Sequence, residues 1–160
     1  MKKSVIVIII IVLLILLLIG VVGFMILRQK KKDEPIQSIH HMYFHYSTST
    51  AYLANVNYNV EMKDEKYYAT IKLSGQKEED AKKVELKEKD LKELMNIFNK
   101  HRIGRWDGFK KSNKYVLDGN DFSFGLRTLD DREVYASGYE SYPAGYKDVK
   151  EDLDHYFQSL

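Results

Sequence analysis

The chain has 160 residues, a formal net charge of +2, twelve tyrosines and no cysteine. Without cysteine it forms no disulfide, no zinc–thiolate site and no thiol nucleophile. Residues 1–32 hold six basic and no acidic side chains, so residues 33–160 carry about −4; that balance argues against nucleic-acid binding as the main task.

Residues 1–4, "MKKS", form a short basic N-terminus. Residues 5–27, "VIVIIIIVLLILLLIGVVGFMIL", contain no charge and no polar side chain. At a helical rise of ~1.5 Å per residue this run reaches about 35 Å, enough to cross a hydrocarbon core of ~30 Å. It exceeds the roughly 7–15 apolar residues of a cleaved signal peptide, and it lacks a small-x-small cleavage site. It therefore reads as an uncleaved signal anchor, a single-pass transmembrane helix. Arg28, Lys30, Lys31 and Lys32 follow it, so the positive-inside count is nearly balanced across the span. The very short basic N-terminus resembles a bacterial export signal and favours an extracytoplasmic C-terminal domain. Residues 28–37, ending near Pro35, read as a polar linker whose basic residues suit anionic headgroups.

Residues 38–160 are enough for one compact domain. Residues 38–47 are aromatic-rich and predict a strand. Ala54, Val56, Tyr58, Val60 and Met62 alternate with Asn55, Asn57, Asn59 and Glu61, the period of a half-buried strand. "KDEK" at 63–66 supplies a turn, and Tyr67, Ala69, Ile71 and Leu73 share one face of the return strand. A short strand at 84–86 precedes a helix at 88–101, where Leu91, Leu94, Met95 and Phe98 recur at helical spacing and Gly104 supplies a stop. Strands follow at 114–117, 122–127 and 133–136, with a turn at 129–133. The last helix carries Tyr146, Val149, Leu153, Tyr156, Phe157 and Leu160 as one apolar stripe, with Pro143 in its first turn. Strands in groups with short links, and helices set apart, predict an α+β domain: an antiparallel sheet with two helices packed on one face.

The stretch "VLDGNDFSFG" places Asp118 and Asp121 around Gly119 and Asn120. A calcium loop needs oxygen ligands at regular positions up to a glutamate at the twelfth; here Phe122, Phe124 and Leu126 occupy later positions. Asp-Gly between apolar runs instead predicts a tight hairpin with Gly119 at positive φ. His40, His41 and His45 form a second cluster. On a strand His40 and His41 point to opposite faces, and His41 and His45 lie about 13 Å apart, too far for one metal. The P-loop, GxGxxG, HExxH and GxSxG motifs have no match. The residues thus designate no catalytic, cofactor-binding or metal site. The tyrosines and Trp106 are expected to pack in the core and sheet, and they also suit a peptide or carbohydrate platform.

A recurrent outline runs through residues 84–160: a helix "LKELMNIFNKHRI", then "RWDGF", "VLDGNDFSFGL", "VYASGYESYP" and the helix "YKDVKEDLDHYF". It resembles an uncharacterised group of Firmicutes extracytoplasmic lipoprotein-like and membrane-anchored domains. The matching residues are Trp106, Gly108, Phe109, Asp118, Gly119, Phe122, Gly138, Tyr142 and Pro143. The resemblance implies an extracytoplasmic setting and transfers no catalytic role. The chain lacks the lipid-modified cysteine of the lipoproteins, so its span must serve as the anchor.

The expectation is a single-pass cell-membrane protein with an extracytoplasmic, non-enzymatic domain that binds a protein, a peptide or a cell-envelope polymer. Two alternatives stay open. One is an envelope enzyme acting on glycan or peptide through Asp118, Asp121 or His40–His45. The other is a cytosol-facing accessory subunit of a membrane complex, which the basic residues after the span would allow.

Overall fold

A computed structural model of the protein describes residues 2–47, 55–73 and 75–160. Residues 1–34 and 35–160 form two units. The first is one helix, α1 (Lys2–Asp33). It is long and apolar enough to cross a membrane, and none of its apolar stretch is buried in protein. The polar linker expected over 28–37 is shorter than its sequence suggests. The helix continues through Asp33, with Lys30, Lys31 and Lys32 in the last turn, where cations favour the helix dipole. Ile36 and Ile39 already belong to the domain core. Asn99 holds this entry point from both sides: its Oδ1 accepts from Ile36 N at 2.6 Å, and its Nδ2 donates to Ile36 O at 2.9 Å.

The second unit is an α+β domain. Its strands are β1 (His41–Tyr46), β2 (Val56–Lys63), β3 (Lys66–Leu73), β4 (Lys82–Leu86), β5 (Phe109–Ser112), β6 (Asp121–Arg127) and β7 (Glu133–Tyr139). They form one sheet in the order β4-β3-β2-β1-β6-β7-β5. Every pairing is antiparallel except β5 with β7, which is parallel, so the sheet is mixed. Helices α2 (Glu88–Lys100) and α3 (Tyr146–Ser159) cover one face.

Local chemistry explains most of these elements. In β1 the alternation His41, Tyr43, His45 against Met42, Phe44, Tyr46 puts the second set fully into the core. The β2–β3 hairpin turns on Asp64 and Glu65, both at positive φ (51° and 61°), the backbone of the two-residue turn that matches strand twist. The β6–β7 hairpin closes with Thr128 N donating to Arg132 O at 2.9 Å, and Asp131 takes φ 59°.

Four local expectations are corrected. Residues 114–117 form no strand; β5 lies earlier, at Phe109–Ser112, and pairs with β7 on the side away from β6. The segment holding Asp118 and Gly119 therefore crosses past the end of β7 instead of closing a hairpin, and Gly119 does not adopt positive φ. Helix α2 is stopped by Arg102 in the left-handed region (φ 51°), while Gly104 is buried within a 3-10 turn, Ile103–Trp106. Pro143 precedes α3 instead of starting it: its carbonyl accepts from Tyr146 N at 3.2 Å, and Gly145 at φ 74° is the N-cap.

The helices reach the sheet through aromatic side chains. Phe157 stacks on Tyr58 with ring centroids 4.2 Å apart, and Phe98 meets Phe124 edge-on at 5.9 Å. Asp154 on α3 accepts from Tyr46 Oη at 2.7 Å and Tyr58 Oη at 2.8 Å, and Lys150 Nζ lies 2.7 Å from its other oxygen. These contacts satisfy the buried phenols without breaking the apolar layer.

Burial pushes the phenols of Tyr46, Tyr58, Tyr146 and Tyr156 well above their ordinary value, with the Asp154 carboxylate adding to the effect at Tyr46 and Tyr58. The unfolded chain ionises its phenols near pH ~10. These four groups therefore stabilise the fold fully below that pH, and the contribution is lost as pH rises above it. Tyrosinate absorbance of the full chain in detergent is expected to rise in two phases. Exposed phenols titrate first with the far-ultraviolet circular dichroism intact, and the buried set titrates only as the fold is lost. A single phase near pH ~10 on an intact fold would contradict the packing described above.

Candidate binding surface

The sheet face opposite the helices carries His41, Tyr43 and His45 from β1, Asn57 and Asn59 from β2, and Ser123, Gly125, Tyr135 and Ser137 from β6 and β7. Cross-strand hydrogen bonds order it. His41 Nε2 lies 2.8 Å from Asn59 Oδ1, and His45 Nδ1 lies 2.8 Å from Asn57 Oδ1. Tyr43 lies across Gly125: a Cβ there would fall 2.2 Å from the Tyr43 ring. The missing side chain is what lets the ring lie down on the strand. Tyr135, directly opposite Gly125 on β7, stays 46% exposed. The centre of this face is thus uncharged, aromatic and amide-rich. Glu61, Lys72, Arg127 and Glu133 surround it.

Strand directions sort the loops into two sets. β1, β3, β5 and β7 end, and β2, β4 and β6 begin, at the same end of the sheet. Ser47, Asn55 and the segments 75–81, 113–120 and 140–145 lie there, whereas the chain enters at the other end through Ile36 and His40. Loops clustered at one end of a rigid sheet are a common place for function. Residues 48–54 and Ser74 lie outside the described residues.

The sequence-predicted candidates separate. Asp118 is exposed in the 113–120 loop, whereas Asp121 begins β6 and turns toward β1. There Ser47 Oγ donates to Asp121 Oδ1, Asp121 N donates to Ser47 Oγ at 2.9 Å, and His45 Nε2 stands 3.6 Å from Asp121 Oδ2. The carboxylate sits between the serine and the histidine, so His45 cannot take the serine proton, and the set is not wired as a nucleophile–base–orienter relay. His40 points to the other face of β1, and its buried Nδ1 has no hydrogen-bond partner. No cluster of three or more metal-ligating side chains occurs among the described residues.

The residues of the sequence outline converge on one corner. Trp106 packs against Phe122 at 6.1 Å, Phe109 against Phe122 at 6.1 Å, and Tyr142 against Tyr146 at 4.6 Å. Trp106 Nε1 donates to Ala144 O at 3.1 Å. A Cβ on Gly138 would fall 1.9 Å from Ser141 O, so glycine alone permits the tight exit from β7. Sequence reasoning missed the two residues that hold this corner to the 113–120 loop. Tyr139 Oη donates to Leu117 O at 2.8 Å and accepts from Gly119 N at 2.7 Å. Glu140, at φ 44°, accepts from Asn120 N at 2.5 Å and donates its own N–H to Asn120 O at 2.8 Å. Neither has a local sequence signal, because both act across twenty residues.

This geometry gives Gly119 a different role from a hairpin glycine. A Cβ at Gly119 would fall 2.3 Å from Glu140 Cγ. Gly119→Val is expected to cost about 1–3 kcal/mol through overpacking. Asp118→Asn, at an exposed position, is expected to stay within about 0.5 kcal/mol. Chemical denaturation of both variants measures this; equal costs would remove the clamp from the account.

No protein-family model, curated protein or solved structure matches the chain.

Proposed function

We propose that the chain is a single-pass membrane protein whose C-terminal domain is extracytoplasmic and binds a protein, a peptide or a cell-envelope polymer without catalysing a reaction. The observation that carries this reading is the helix-free sheet face, where His41, Tyr43, His45, Asn57 and Asn59 are pre-ordered by one another and remain accessible. Ordered side chains lose little freedom on binding, which favours recognition. The apolar helix supports a membrane anchor, and the sequence outline over residues 84–160, which resembles Firmicutes extracytoplasmic domains, favours the outer side.

The enzyme reading has one observation in its favour, the approach of His45 to Asp121 beside Ser47. The hydrogen bonds there favour an ordering role, since each side chain already serves as partner to another.

Protease treatment of intact protoplasts tests the location. The domain is expected to be digested while a cytosolic marker survives. Protection of the domain until the membrane is opened would instead support the cytosol-facing alternative.

A further inference from the structure

Among the described residues of the domain, the most exposed large apolar side chains are Tyr115, at 98%, and Leu117, at 93%. They stand two residues apart at the tip of the 113–120 loop. A loop showing such residues would ordinarily be expected to collapse onto the nearby aromatic corner. This one is held away from it by its own hydrogen bonds. Asn113 N donates to Tyr139 O at 2.8 Å, and Asn113 Oδ1 accepts from Tyr115 N at 3.1 Å. Tyr139 and Glu140 then hold Leu117, Gly119 and Asn120 on the far side of the tip. Glu140 occupies the left-handed region to do so, a backbone state that residues other than glycine seldom adopt. The backbone is therefore shaped on both sides of two side chains that contact nothing.

Resting on the binding-domain reading above, we propose that Tyr115 and Leu117 are the anchors of a protein-binding tip, and that their partner is a second protein with an apolar pocket rimmed by carboxylates. Two exposed apolar anchors on an ordered loop match the way a few buried side chains dominate protein interfaces. The acidic rim follows from Lys110, Lys111 and Lys114, three exposed cations on the approach to the tip against one exposed carboxylate there, Asp118. A lipid surface is the rival occupant that the crosslinks below separate from a protein. A second copy is a poorer fit. The other exposed large hydrophobics of the described domain are Leu73, Leu129, Tyr135 and Tyr142; the first three stand on separate strands and turns, and Tyr142 packs against Phe122 and Tyr146, so together they compose no pocket for the tip.

The test uses the full chain in the membrane of its own cells. A photo-crosslinking phenylalanine analogue is placed at position 115, at position 43 on the open sheet face, and at Lys92, exposed on α2, as a control. The expected result is a discrete adduct with one other protein from position 115, mapped to an apolar pocket with acidic neighbours. Leu117→Asp is expected to reduce that adduct at least tenfold, and Leu117→Met to retain it. Position 92 is expected to give none. Adducts to lipid alone, an adduct of twice the chain's mass, or indifference to Leu117→Asp would each overturn the proposal. An adduct from position 43 without one from 115 would overturn the tip while leaving the binding-domain reading in place. No adduct from either position would count against both.

Discussion

Trp106→Ala is expected to cost about 3–5 kcal/mol, the range for truncating a fully packed aromatic side chain. Trp106 is 2% exposed and lies edge-on to Phe122 and Phe124 at 6.1 and 5.6 Å. Its ring also faces Tyr146 at 5.9 Å, so one side chain joins the 3-10 turn after α2, the centre of β6 and the first turn of α3. The indole N–H further fixes Ala144, in the segment that leads into α3. Truncation opens a cavity and releases that segment together. Trp106→Phe, which keeps most of the volume and loses only the donor, is expected to cost clearly less. Circular dichroism during denaturant unfolding is the suitable measurement, because this is the chain's sole tryptophan and its fluorescence disappears with it. An unfolding midpoint unchanged in Trp106→Ala would refute the role assigned to this corner.

Leu153→Ala is expected to cost about 2–5 kcal/mol. The rival for the stripe on the last helix is an exposed partner-binding surface, and burial decides between them. Val149, Leu153 and Phe157 are fully buried, and Phe157 stacks on Tyr58. Lys150, on the next turn, resembles a solvated residue in sequence, yet its Nζ lies 4.0 Å from the Tyr46 ring centroid and 2.7 Å from Asp154. Lys150→Ala is consequently expected to cost about 0.5–1 kcal/mol, more than an ordinary surface lysine. If Leu153→Ala left stability unchanged and abolished a binding partner, the helix would be an interface instead of core.

Much of this architecture was legible in the sequence, for identifiable reasons. A run of 23 apolar residues makes α1 long and apolar enough to cross a bilayer, a property that length and composition alone decide. β1, β2, α2 and α3 each carry a regular apolar period, so the faces that became core were marked in advance. The order of strands and helices followed from those periods, and the α+β class from that order.

Tertiary structure decided what depended on pairing across distance. Asp118-Gly119 has the local chemistry of a hairpin turn and is not one, because β5 pairs parallel to β7 on the side away from β6 and carries the chain past that strand. The turn at 63–66 was marked in the sequence, but its two-residue, left-handed form at Asp64-Glu65, without glycine, depends on the eight paired positions between β2 and β3 that outweigh its cost. The candidate histidines were likewise readable only as a cluster. Their role as ordered partners of Asn57 and Asn59 needed the cross-strand register, which no spacing along one strand encodes. The clamp of Tyr139 and Glu140 on the 113–120 loop has the same origin: side chain and loop are twenty residues apart, and only the fold brings a phenol and a carboxylate to the backbone they hold.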